Sequence, residues 1–179
     1  MRRSSKSGFS GRAGGSGFSL IELLIVVAII LVIAAIAIPN LLRAKIAANE
    51  SSAANSVRKI ATAQVAYGAA YPTIGYATAI SALGGPAAAC SPTPATACIL
   101  DSSLSSGVKS GYQFLAAAFS AGGAINTDFV ASSSPQTYNV DGIKDFCVIT
   151  DGVLRISPGA SGVPPAPDVA TCQAYPMTQ

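Results

Sequence analysis

Residues Phe18–Ile38 read FSLIELLIVVAIILVIAAIAI, 21 positions with a single charge, Glu22. As a helix rising 1.5 Å per residue the stretch spans ~31 Å, about the thickness of a bilayer's hydrocarbon core. It is apolar on every side, so it has no face for water and is not a surface helix. Glu22 stands one turn inside it, a carboxylate in a setting that disfavours charge.

The flanks differ in charge. Residues 1–17, MRRSSKSGFSGRAGGSG, carry Arg2, Arg3, Lys6 and Arg12 and no acid. They are polar, rich in Gly and Ser, without apolar periodicity, and are expected to be disordered. The rest of the chain has seven basic against eight acidic residues. The net charge of +3 therefore belongs to the leader and is no argument for nucleic-acid binding. Four basic residues before the span outweigh Arg43 and Lys45 after it, which places the N-terminus in the cytoplasm and the remainder outside. All four cysteines, Cys90, Cys98, Cys147 and Cys172, follow the span, as disulfides in an oxidising compartment would. The chain has no histidine. That removes His-based acid–base catalysis, the Ser-His-Asp triad and the commonest metal ligand.

Two plain readings come first. The stretch is too long for the apolar core of an ordinary signal peptide and lacks a clean Ala-x-Ala site, but a signal anchor fits. Ser19-Leu20-Ile21-Glu22 also has capping-box spacing, with an acid in the first turn where the helix dipole favours it.

Gly17 followed by Phe18-Ser19-Leu20-Ile21-Glu22-Leu23-Leu24, then an apolar run to Pro39, resembles the processing motif of type IV prepilins and type II secretion pseudopilins. The resemblance implies cleavage between Gly17 and Phe18 by a membrane prepilin peptidase, which also methylates the new Phe18 amine. It places Glu22 at the family's assembly glutamate. The implied partners are that peptidase/methyltransferase, an inner-membrane platform with its ATPase, and other copies of the chain. The 17-residue leader is long for a pilin whose mature chain begins with Phe, and Leu31 stands where many relatives have glycine. Physically, cutting after Gly17 removes the leader charges and creates an ammonium one turn from Glu22. Opposite charges ~4 Å apart attract by ~4 kcal/mol at an effective dielectric of ~20, before desolvation is subtracted. Pro39 cannot donate to the carbonyl of Ala35 and is expected to kink or locally melt the helix.

Beyond Pro39, Ala53, Val57, Ile60, Ala61 and Gln64 recur at helical spacing, with Arg58 and Lys59 on another face. One helix is expected from Phe18 to about Gly68, in two halves: 18–38 for membrane and assembly, 39–68 for packing. Residues 69–110 form a variable Ala/Gly/Pro/Ser/Thr-rich region with a short helix over Thr78–Leu83. In 111–179, strands are expected at Gly111–Ala117, Asp128–Ser132, Asp145–Thr150 and Val153–Ile156, with Asp151-Gly152 as a two-residue hairpin turn. A Pro/Gly-rich irregular tail follows. Four cysteines allow three pairings. Nearness in the chain favours Cys90–Cys98 with Cys147–Cys172, and type IV pilins have a comparable C-terminal disulfide loop. Asn49-Glu50-Ser51 matches a glycosylation sequon. Asn139, Asp141 and Asp145 have no recognised calcium spacing, and no cofactor or metal is expected.

The fold class is α+β: a long N-terminal helix against a small antiparallel sheet of about four strands. The expected function is structural and non-enzymatic. The chain is read as a pilus subunit, held in the bacterial inner membrane by one pass before assembly and extracellular after it. A periplasmic pseudopilus subunit and an uncleaved, membrane-anchored binding domain are the alternatives.

Overall fold

The computed structural model describes residues 17–86 and 88–177. The basic residues of the leader lie outside them. The elements run α1 (Leu20–Ala70), α2 (Ile80–Leu83), α3 (Ser102–Ser105), β1 (Val108–Lys109), β2 (Tyr112–Phe119), β3 (Asp128–Pro135), β4 (Lys144–Ile149), β5 (Arg155–Pro158) and α4 (Val169–Gln173). The chain divides into two compact units, 1–40 and 41–179, so the division falls just after Pro39. Helical backbone continues through Pro39 without a melted turn.

In the second unit the five strands form one antiparallel sheet in sequential order. Within α1 the buried positions are Glu50, Ala53, Ser56, Val57, Ile60, Ala63, Gln64 and Tyr67. They recur every three or four residues, a single stripe down one face. Ala61 is only partly buried at its margin, while Arg58 and Lys59 are exposed. The small residues in the stripe let the helix approach the sheet, where it packs on Tyr112, Phe114 and Ala116 of β2, Phe129 and Ala131 of β3, and Phe146 and Val148 of β4.

Alternate residues of β3 and β4 point the other way. Val130, Cys147 and Ile149 form a second cluster with Ala166 and Cys172. The sheet is therefore covered on both faces, which is why β4 reads as the unbroken run DFCVI rather than alternating. The second cover is the tail, expected to be irregular. It contains α4, capped by the Asp168 carboxylate, which accepts from the Thr171 N–H at 2.7 Å. Ser132 Oγ donates to the Ala166 carbonyl at 2.7 Å. Cys147 and Cys172 are disulfide-bonded, as are Cys90 and Cys98.

Two turns differ from expectation. The two-residue hairpin is Ser110-Gly111, joining β1 to β2, with Lys109 opposite Tyr112. Both turn residues have positive φ, 50° and 74°, the requirement of a type I′ turn. At Asp151-Gly152 the connection is longer, Thr150–Leu154. Asp151 accepts from the Val153 N–H at 2.9 Å and pairs with the buried Arg155, so the carboxylate builds its own local turn. Leu154 then turns into the core, and the last strand starts at Arg155 rather than Val153.

The long connection between α1 and β1 is held from the helix. Gln64, fully buried, donates from Nε2 to the Ala77 carbonyl and accepts the Ala77 N–H at Oε1, both at 2.8 Å. Its amide thus satisfies a buried backbone pair as a neighbouring strand would. Tyr67 Oη donates to the Pro94 carbonyl at 2.7 Å. Gln64→Ala leaves two buried backbone groups unpaired and is expected to lower stability by about 2–4 kcal/mol. Denaturant unfolding of the detergent-solubilised chain, followed by near-UV circular dichroism, measures the loss.

Candidate functional site

Three described residues, Gly17, Phe18 and Ser19, precede the first helical one, Leu20, and they are neither helix nor strand. Gly17, Phe18 and Ser19 are exposed, and the space around Gly17 is open. The Gly17–Phe18 peptide bond is thus in an accessible, non-helical segment, as a protease substrate needs to be. The helix begins where Ser19 supplies its carbonyl to the Leu23 N–H at 3.2 Å. Glu22 turns back so that Oε2 accepts the Ser19 backbone N–H at 2.9 Å. This is the glutamate half of a capping box, satisfying a donor that the helix itself leaves unpaired. The carboxylate also sits at the positive end of the helix dipole. The cysteines and Pro39 are far from this segment in sequence.

From Leu20 to Ile38 every large apolar side chain is exposed. Length and composition suffice to cross a membrane. Isolated apolar side chains on a surface are ordinary, but a continuous exposed stretch of this extent needs lipid or protein around it.

A second polar group, in the folded unit, fixes the β3–β4 connection to α1. Glu50 Oε1 accepts the Ile143 N–H at 3.1 Å and Oε2 pairs with Lys144 Nζ at 3.0 Å. Lys45 Nζ lies 3.7 Å from Asp141 Oδ1, and Asn49 Nδ2 donates to the Asp141 carbonyl at 3.0 Å. Tyr112 Oη donates to the Lys144 carbonyl at 3.0 Å; burial, followed by the Glu50 charge, pushes that phenol well above its usual range. A Cβ on Gly142 would clash with the Tyr112 hydroxyl, so only glycine fits there. The sequence does not single out Glu50 as a structural residue, yet it continues the spacing of Ala53, Val57 and Ile60 one turn back. Asn49, in the sequon, is engaged in this clamp. Among the described residues no group of three His, Cys, Asp or Glu side chains converges as a metal site; Asp141 is drawn to Lys45 while Asp145 is buried in the sheet.

Residues 13–38 match the model of the prokaryotic N-terminal methylation motif, the signature of type IV pilins and pseudopilins. Comparisons with curated proteins and with solved structures return no match. The long helix and antiparallel sheet accord with a pilin-like fold.

Asp145 is buried, and its Oδ1 has no hydrogen-bond partner. Burial raises its carboxyl from 3.8 to about 6. The folded state therefore prefers the protonated acid. Its contribution to stability is complete below pH 4, falls as pH rises through 6, and is constant above. Asp145→Asn is expected to be more stable than the parent above pH 6 by on the order of 2 kcal/mol, the gain vanishing near pH 4. Urea unfolding across about pH 4–8 gives both curves.

Proposed function

We propose that this chain is the structural subunit of a type IV pilus, made as a prepilin, cleaved after Gly17, methylated on Phe18 and polymerised through its apolar helix. The observation that carries the reading is the methylation motif at residues 13–38 lying across an accessible Gly17–Phe18 bond and an unpartnered apolar helix. The motif serves pilins and pseudopilins alike. The surface-pilus reading draws support from the disulfide-fastened C-terminal tail, a device that suits a protein facing an oxidising, mechanically demanding exterior.

Before assembly the 18–38 half sits in the inner membrane as a single pass, with its N-terminus in the cytoplasm. The peptidase removes the four leader charges there, and the Phe18 amine takes their place. Pulled out of lipid by the assembly platform and its ATPase, the helix buries its apolar surface against copies of itself. A lone carboxylate in that bundle is costly. The Phe18 ammonium, its own or a neighbour's, offsets the cost and fixes the register. Pro39 marks the place where the backbone ladder is weakest and the helix yields most readily. The role is structural, and no catalytic residue is assigned.

Two variants separate charge from capping. Glu22→Gln keeps an oxygen for the Ser19 N–H but loses the charge; Glu22→Ala loses both. Both are expected to insert and to be cleaved, and both to lower the yield of sheared fibres by about tenfold or more, the cost of a pair worth ~1.4 kcal/mol. Normal fibre yield from Glu22→Gln would leave the residue a helix cap and nothing more. Mass spectrometry of the parent subunit is expected to give a chain beginning at methylated Phe18. An intact leader would favour the uncleaved anchored domain instead.

A further inference from the structure

Outside the 18–38 stretch, the exposed large apolar side chains are mostly scattered, but four gather near the start of the second unit. Leu41 is 70 % exposed, Leu42 55 %, Val140 51 % and Ile143 39 %. Their neighbourhood follows from the clamp. Asp141 and Ile143 are seated on α1 at Lys45, Asn49 and Glu50. Leu41 and Leu42 precede Lys45 by four and three positions, one helical turn towards the N-terminus on the same side. The β3–β4 connection and the first turn of this unit therefore present one mixed surface.

Its charges are sorted by depth. In each ion pair the base faces solvent and the acid faces the protein: the Lys45 side chain is 54 % exposed against 18 % for Asp141, and that of Lys144 48 % against 11 % for Glu50. Arg43 is exposed and forms no ion pair among the described residues. Exposed aliphatic groups rimmed by outward cations form the pattern of a surface that lies in the lipid headgroup layer. The aliphatics enter the acyl boundary, while basic side chains extend to phosphates. The surface also begins three residues after the apolar stretch ends at Ile38, where the sequence leaves the hydrocarbon for the interface.

We infer that this face docks on an anionic phospholipid surface while the subunit awaits assembly. Leu41, Leu42, Val140 and Ile143 enter the interface, and Arg43, Lys45 and Lys144 meet the headgroups. The inference rests on the reading of 18–38 as a membrane span. Docking limits tumbling of the folded unit and presents subunits to the assembly platform in one orientation. It also gives extraction an added cost that depends on lipid charge.

The chain contains no tryptophan, so a single introduced indole reports its own surroundings. Ile143→Trp is placed in the full-length chain and reconstituted into vesicles containing acyl-brominated phosphatidylcholine, with or without phosphatidylglycerol. Ile30→Trp reports the span. Ile125→Trp is an exposed control beside Asn126, whose backbone bonds Ile74 and Tyr76 beyond the C-terminal end of α1. The indole of Ile143→Trp is expected to be quenched by bromolipid and blue-shifted when phosphatidylglycerol is present. Its quenching should fall at least about twofold without that lipid or at high salt, with the Ile125→Trp indole unaffected throughout. Quenching in Ile30→Trp but not in Ile143→Trp overturns this inference and leaves the span intact. Absence of quenching in Ile30→Trp overturns the span and the docking together. Quenching in Ile143→Trp that ignores lipid charge and salt refutes headgroup recognition. An Ile143→Trp indole shielded only in assembled fibres reassigns the face to subunit contact.

Discussion

The constraint behind this structure is that one helix must be solvated in two different ways. Over Leu20–Ile38 the side chains are apolar in every direction and find nothing in their own chain to bury against. Each Leu, Ile or Val left in water forgoes about 1.5–3 kcal/mol, and there are more than a dozen. No soluble domain of modest stability can carry that burden. On the proposed function, lipid would remove it before assembly and neighbouring helices afterwards, so the same surface would serve as anchor and as polymer interface. Over Glu50–Tyr67 the same helix has a buried stripe and a wet back. It behaves there as an ordinary core element.

The folded unit is built to hold that second half firmly. Small residues in the stripe bring α1 close to three aromatic-bearing strands, and the other face of the sheet is closed by the tail. The Cys147–Cys172 bond joins a central strand to that cover. The tail continues past it, the Pro176 carbonyl accepting from the Ile156 N–H at 3.2 Å. The edge of the sheet at β5 is thereby partly paired, which lowers the hazard of uncontrolled strand addition.

Much of this was legible in the chain because the signals were long. The helix, expected over Phe18–Gly68, runs Leu20–Ala70, and Phe18 and Ser19 fall outside because Ser19 is the cap. The three central strands begin within one residue of their expected starts. What escaped was short or depended on tertiary contacts. The fifth strand of the sheet, β1, has two residues, too few to show a period. The Ser110-Gly111 turn is inconspicuous beside Asp151-Gly152, whose aspartate is diverted by Arg155. α4 is five residues in a proline-rich setting, and its Asp168 cap is seen only in the structure. Glu50 looks like a surface acid because its partner Lys144 lies 94 positions on. The Gln64 amide could be placed on the buried face, but not matched to Ala77.

The start of the helix reconciles two roles for one carboxylate. Glu22 holds the Ser19 N–H through Oε2. On the proposed processing, cleavage after Gly17 would leave Ser19 as the second residue of the mature chain, so that N–H would persist and the cap would survive. A carboxylate has lone pairs to spare on its other oxygen, and the proposed ammonium would arise one residue before the group it already binds. Capping therefore does not compete with charge pairing. It aims the carboxylate at the end of the helix where that cationic group would appear, and would lower the entropy lost on forming the pair. A glutamate free to roam the first turn would meet that ammonium less often. On the proposed function, the local rule of helix termini and the demand of burial in a bundle would select the same residue at the same position.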